Sequence, residues 1–205
     1  MGRTQEERKA ETRQRLLAAA AGLFASDGFD AVSVDAIGAA ADRTSGAVYA
    51  HFGNKQGLMS ALLEEFQDDL AAVVMAEFAT RGTLSGRLLG LWQSFATQAD
   101  PGGASWFLLE MELWIRASRD PEIAERLANR YDTVRGYMRA EFTEWVDHHG
   151  LTPPVPVAEL PQAIFAVLVG MQMQRSLDPS VVSDDHALSV LLALFGADPS
   201  LKRDL

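Results

Sequence analysis

The chain has no cysteine. That excludes a disulfide framework and thiolate metal sites, and it fits a reducing cytoplasm. The start carries no apolar signal segment; Arg3, Glu6, Glu7, Arg8 and Lys9 crowd the first ten residues. The longest apolar runs, such as 163–171, are too short and too interrupted to span a bilayer. Strand-like alternation of useful length is missing, as are fixed-period repeats and long low-complexity segments. Phosphate-loop and nucleophile motifs are missing too. Histidine is scarce, with only His51, His148, His149 and His186. These absences point to an all-α cytoplasmic protein that does not enter a membrane and needs no cofactor.

What is present is acidic overall, with a net charge of −10 over 205 residues. The distribution says more than the total. Residues 1–55 hold seven Lys/Arg and seven Asp/Glu, whereas residues 56–205 hold 11 and 21. Within residues 1–15 the balance is five basic to three acidic. An uncharged head on an acidic body suits a DNA-binding end joined to a domain that does not bind DNA. An acidic surface that only aids solubility would give the same total.

Helical periodicity runs through the chain. Leu16, Leu17, Ala20, Leu23 and Phe24 recur at spacings of three and four, giving a helix from about Glu7 to Ser26. Gly28 follows, placed for a left-handed C-cap. Ser33 caps a second helix over 34–41, with Asp35 in its first turn. After the tight turn Asp42-Arg43 comes a short helix over 44–52, with Thr44 as a capping residue. Asn54 caps a longer helix over 55–80. Further helices are expected near 84–99, 104–118, 121–148, 158–176 and 184–196. Pro101-Gly102-Gly103, Asp120-Pro121, the 150–156 linker and Asp178-Pro179 separate them. Two domains follow: a three-helix head over 1–54 with a helix-turn-helix, and a helical body over 55–205.

The residues of the head fall in a known register. Thr12-Arg13, Leu17, Ala19-Ala20, Leu23-Phe24, Gly28-Phe29, Val32-Ser33-Val34, Ile37, Ala40-Ala41, Thr44, Gly46, Val48-Tyr49, His51-Phe52, Lys55 and Leu58 resemble the tetracycline-repressor (TetR) family of bacterial transcription regulators. The resemblance covers roughly the first 60 residues; the remainder is similar only in length, helical content and helix order. Asp42-Arg43 stands where Gly and an apolar residue are usual, Gln56 where an acid is common, and Gly38 where Ala is common. Asp tolerates a left-handed backbone better than most residues, so the turn survives. Gly38 should weaken its helix by about 1 kcal/mol.

The resemblance implies a regulator, most often a repressor, that binds palindromic operator DNA as a homodimer and answers to a small-molecule effector. It places Ser33, Tyr49, His51 and Lys55 on backbone phosphates. Ser33 and Lys55 sit at helix N-termini, where free N–H groups already favour an anion. Ser33 also reads as a plain N-cap, and Tyr49 as a half-buried packing residue. Base readout falls to Arg43, Thr44, Ser45, Gly46 and Ala47 at the leading end of the short helix. Arg43 suits a guanine edge, a phosphate or a solvated turn equally well. Arg8, Lys9 and Arg13 lie on a first helix whose charges are usually just solvated.

In the body, Trp92, Phe95, Trp106, Met111, Trp114 and Gln172 are the effector-lining candidates, with Glu110 and Arg116 as polar anchors or surface residues. Aromatic stripes at helical spacing are more often core than pocket, and the family resemblance tips the choice toward a mostly apolar pocket. Leu160, Ile164, Val167, Leu168 and Met171, and Leu188, Leu191, Leu192 and Phe195, form two stripes expected to meet a second chain. The competing class is a helical enzyme, metal-dependent or cofactor-free, with an incidental helix-turn-helix. Its only anchors are Glu144 with His148, and Asp184-Asp185-His186. A solvated helix end and an acidic N-terminal cap explain both better.

Overall fold

The computed structural model describes residues 4–80, 82–97 and 106–198. Every regular element among them is helical. The helices are α1 (Gln5–Asp27), α2 (Val34–Ala40), α3 (Ser45–Phe52), α4 (Lys55–Thr80), α5 (Leu84–Thr97), α6 (Trp106–Ala117), α7 (Pro121–His149), α8 (Leu160–Leu177) and α9 (Asp184–Leu194), with a 3₁₀ turn at Val157–Glu159 before α8. The all-α expectation holds, and helix order follows the sequence periodicity. The Pro101-Gly102-Gly103 breaker and the expected helix ends at 99 and 104 lie outside the described residues.

Capping side chains account for most starts. The Thr4 hydroxyl accepts from the Glu7 N–H (3.2 Å) while the Glu7 carboxylate accepts from the Thr4 N–H (2.8 Å), a reciprocal capping box that opens α1. Ser33 Oγ accepts from the Ala36 N–H at 3.0 Å, and Asn54 Oδ1 from the Gly57 N–H at 2.8 Å. Asp120 Oδ1 accepts from the N–H groups of Glu122 and Ile123 at 3.0 and 3.4 Å, and Pro121 occupies the first position of α7. Thr44 departs from expectation. Its backbone is extended as a cap requires, but its hydroxyl makes no cap bond. The Ala47 N–H is taken by the Thr44 carbonyl at 2.9 Å instead, and Thr44 itself is exposed.

Three glycines, Gly38, Gly57 and Gly196, sit where a Cβ would meet backbone at under 3 Å. A Cβ on Gly38 would lie 2.8 Å from the Ser45 nitrogen and 2.9 Å from the Thr44 carbonyl carbon. Backbone atoms cannot step aside, so the helix-propensity cost expected of Gly38 is outweighed by what Ala would collide with. Gly57 is tighter: its Cβ would fall 2.0 Å from the Phe52 carbonyl oxygen. Asp42 takes φ 56°, the left-handed conformation its position demands. Gly28 has the expected positive φ, but with ψ 152° it leaves α1 extended rather than in a left-handed cap.

The chain divides into two compact units. The first joins Met1–Asp68 to Gln98–Ala128. It buries Leu16, Leu17, Ala20 and Phe24 of α1, Ile37 of α2, Val48 of α3, Leu58 and Leu62 of α4 and Leu113 of α6. Helix α1 packs on α2, α3 and α6, and α2 on α3. The second unit joins Asp69–Thr97 to Asn129–Leu205, where α5 packs on α9 and α8, and α8 on α9.

The second unit corrects the expected dimer stripes. Leu160, Ile164, Leu168 and Met171, and Leu188, Leu191, Leu192 and Phe195, are all buried in this chain's own core, with Val167 packed against it. They were the most apolar positions on their helices, and the chain uses them itself. The outward face of α8 carries Ala166, Gly170, Met173 and Leu177 instead, at spacings of four, three and four. Met173 is 49% exposed and Leu177 84% exposed, and nothing stands within 4 Å of a Cβ placed on Gly170.

Candidate nucleic-acid interface

Helix α3 is anchored through one apolar residue. Val48 is fully buried, and the opposite face is left to solvent. Thr44, Gly46, Tyr49 and Ala50 are exposed, and Ser45 and Ala47 are half-buried. Tyr49 is 55% exposed, so it is not a packing residue. The expected readers and the tyrosine therefore share one accessible surface. Ser33 is exposed at the start of α2 while its hydroxyl caps Ala36.

Cations gather at the far end of α3. The Arg13 guanidinium lies 5.0 Å over the Phe52 ring. His51 sits beside it; burial, then the charges of Lys9 and Arg13, hold its imidazole below the ordinary value of 6.5. This favours the neutral imidazole, which keeps an N–H to donate. The first-helix charges Lys9 and Arg13 are thus brought to the recognition helix rather than spread over a remote face.

Arg43 and Lys55 are held inside the head. Arg43 Nε donates to Thr12 Oγ1 at 3.4 Å, and its NH1 to the Asp42 carbonyl at 2.6 Å. Lys55 Nζ donates to the carbonyl oxygens of Phe29 and Val32, both at 2.7 Å, and stands 4.3 Å from the centre of the Phe29 ring. Its ammonium fixes the loop between α1 and α2. A phosphate contact by Lys55 would have to share that group.

The same loop is held from α6, a connection with no signature in the sequence because the partners lie more than 80 residues apart. The Phe29 N–H donates to Glu112 Oε1 at 3.0 Å. Arg116 NH1 donates to Asp30 Oδ1 at 2.8 Å, and its guanidinium carbon lies 3.9 Å over the Phe29 ring. Arg116 is thus an anchor for the head.

The effector candidates fall into two groups. Met111 (half-buried) and Trp114 (44% exposed) are on α6 in the first unit. Trp114 Nε1 donates to the buried Glu110 carboxylate at 3.1 Å. Trp92, Phe95 and Gln172 belong to the second unit. Trp92 is fully buried, and its Nε1 donates to Asp184 Oδ1 at 2.9 Å. Gln93 Nε2 and Arg175 NH1 reach the same carboxylate at 3.1 and 2.8 Å. Arg175, then Trp92 and Gln93, pull Asp184 down to about 2. Trp92 is thereby a structural post between α5 and α9, and Asp184 is part of the same joint. Phe95 packs against the core. Gln172 is buried with Oε1 unpartnered. The side chain of Trp106 lies outside the described residues. Two features escaped sequence reasoning: the buried Arg130, and the edge-on pair of Tyr131 with Phe165 at 5.1 Å.

Comparison with known proteins gives a consistent pattern. The profile of bacterial regulatory proteins of the tetR family matches residues 16–62. That of the C-terminal domain of BetI-type transcriptional repressors matches residues 87–196. The HTH-type transcriptional repressor AcnR of Corynebacterium glutamicum is 24% identical over 164 residues, 80% of this chain and 81% of that one. The HTH-type transcriptional regulator UidR of Escherichia coli is 21% identical over 168 residues, covering 78% and 79%. Salmonella enterica GusR has a similar fold, with TM-score 0.72 and 24% identity over 90% of this chain and 95% of that one. So does a transcriptional regulator of Saccharomonospora viridis solved in complex with choline, with TM-score 0.74 and 20% identity over 89% and 94%. No described helix is long and apolar enough to cross a membrane.

Proposed function

The chain belongs to the TetR family of bacterial transcription regulators, and from that premise we propose that it is a cytoplasmic, homodimeric repressor released from its operator by a small, mostly apolar molecule. The observation that carries the DNA reading is the open face of α3. Val48 ties the helix down while Thr44, Ser45, Gly46, Ala47 and Tyr49 stand on the solvent side. Tyr49, Ser33 and His51 hold phosphates, Lys9 and Arg13 add charge beside His51, and the small residues admit the helix to the major groove. Arg43 reaches a base or phosphate by leaving Thr12. The functional division stays at 54/55, between head and effector-responsive body.

Effector binding is supported, within the second unit, by the unpartnered buried Gln172 amide oxygen and by the aromatic bulk of Trp92, Phe95 and Tyr131. The choline-bound Saccharomonospora relative suggests one class of ligand to try, a small organic cation beside apolar compounds. Repression follows if the effector binds better to the state that cannot span two half-sites about 34 Å apart.

The test is selection from a random duplex pool with the full chain, followed by binding across a salt series. A repressor retains one palindromic sequence, and its affinity falls steeply with salt. Tyr49→Ala should weaken that binding by about tenfold, the worth of roughly one charge-assisted contact, without lowering the melting temperature. Failure to enrich any sequence at low salt would sink the proposal.

A further inference from the structure

The first unit contains a joint that the DNA-contact surface does not use. Phe29 stands in the loop between α1 and α2, and its ring is only 3% exposed. Two cations face it: the Lys55 ammonium at 4.3 Å and the Arg116 guanidinium carbon at 3.9 Å. Its backbone is held at both ends. The N–H donates to Glu112 Oε1 at 3.0 Å, and the carbonyl accepts from Lys55 Nζ at 2.7 Å. Next door, Asp30 accepts from Arg116 at 2.8 Å. The side chain of Arg116 is only 17% exposed while that of Asp30 is 81% exposed, so solvent screens the ion pair and the grip rests mainly on the Phe29 ring and backbone. Glu112 Oε2 also lies 3.6 Å from where a Gly28 Cβ would be. Helix α6 therefore grips one short loop by backbone, ring and carboxylate at once.

That loop sets the recognition helix. It runs directly into Ser33, the cap of α2, and Lys55, which holds it from the other side, is the first residue of α4. Helix α3 is suspended between those two points. Its own tie to the core is Val48, and α2 approaches it backbone to backbone at Gly38. A loop free to shift would carry α2, and α3 with it.

We infer that Glu112 and Arg116 are positioning residues for DNA binding: from α6 they hold the Phe29–Asp30 loop and so fix the attitude of α3, though neither belongs to the contact surface. This rests on the DNA-binding reading above. Removing the grip lowers the fraction of molecules whose α3 is set for the groove. Apparent affinity falls by that same fraction. If the competent fraction drops to roughly a tenth, the apparent Kd rises about tenfold.

The experiment compares the full chain with Glu112→Met and Arg116→Met, which keep apolar stems of similar length, and with Arg116→Lys, which keeps a cation. Each is measured for melting temperature, for hydrogen exchange of peptides spanning 28–52, and for affinity to the duplex selected by the unaltered chain. The expected result is faster exchange over 28–40 and a Kd raised about tenfold. The melting temperature changes little, and Arg116→Lys recovers most of the affinity. If the unaltered chain binds its duplex and both Met variants bind equally well, the positioning role is overturned. Unchanged exchange over 28–40 overturns the grip itself. If the unaltered chain selects no duplex, the DNA-binding reading fails and takes this role with it, whatever the exchange data show.

Discussion

At the scale of single residues, Gly38 and His51 carry the sharpest consequences. Replacing a helical glycine by alanine ordinarily adds about 1 kcal/mol of stability. Gly38→Ala should do the reverse, because its Cβ would meet backbone atoms at 2.8 and 2.9 Å, an overlap costing roughly 1–3 kcal/mol. A net loss of about 1 kcal/mol in urea unfolding is expected; a gain would mean that α2 and α3 can separate freely. His51 turns on pH. Burial and the nearby Lys9 and Arg13 depress its free-state value below 6.5. A phosphate at its N–H would raise that value in the complex. The complex then holds more protons than its parts, so DNA affinity should rise as pH falls through the interval just below about 6.5. His51→Gln should flatten the profile between about pH 7.5 and 5.5. An equal slope in both proteins would remove His51 from the phosphate contacts.

The element scale shows what was legible and what was not. Helix starts at Ser33, Asn54 and Asp120 could be read because a cap acts on N–H groups only two or three residues away. The left-handed turn at Asp42 could be read for the same reason. Thr44 kept the cap's backbone and lost its bond, since a carbonyl on the same residue took the donor. Joints between elements were hidden because their partners are distant in sequence. Asp184 was visible as an acidic cap and as one of the trio with Asp185 and His186; its role appears when Trp92, Gln93 and Arg175 converge on it. That joint sets a pH dependence. Asp184 is held at about 2 against an ordinary 3.8. Its contribution is complete above about pH 4 and is lost as pH falls toward 2. The side chain is 44% exposed, so solvent screening reduces the gain to about 1 kcal/mol. Asp184→Asn should therefore lose about that much in urea melts at pH 7, with the difference shrinking toward zero below about pH 3. A constant difference across this range would place its effect in packing rather than charge.

For the whole molecule, the proposed homodimer requires an apolar surface for a second chain to cover. The most hydrophobic stripes of α8 and α9 looked like the interface from sequence, but burial within one chain has consumed them. What remains is the row Ala166, Gly170, Met173 and Leu177, two small residues followed by two long ones at the 4-3-4 spacing of a helix–helix seam. Leu177 is 84% exposed, an expensive place for leucine unless something covers it. Two-fold pairing through this row would set α8 against its copy, with open Gly170 admitting Met173 across the axis. Charge on the seam should then separate the chains without unfolding either. Met173→Glu would bury a carboxylate opposite its own symmetry mate, a like-charge pair that is costly once desolvated. Sedimentation should show the unaltered chain as a dimer and this variant as a monomer with an unchanged helical signal. Operator affinity should fall by at least about a hundredfold, because each half-site is then bound without the effective concentration supplied by the other. The same substitution at Met75, which is 51% exposed on α4, should leave both properties as they were. A dimer that persists with Glu at 173 would move the interface off this row; a monomer that still binds the full operator with unchanged affinity would show that pairing is not what brings two recognition helices to one site.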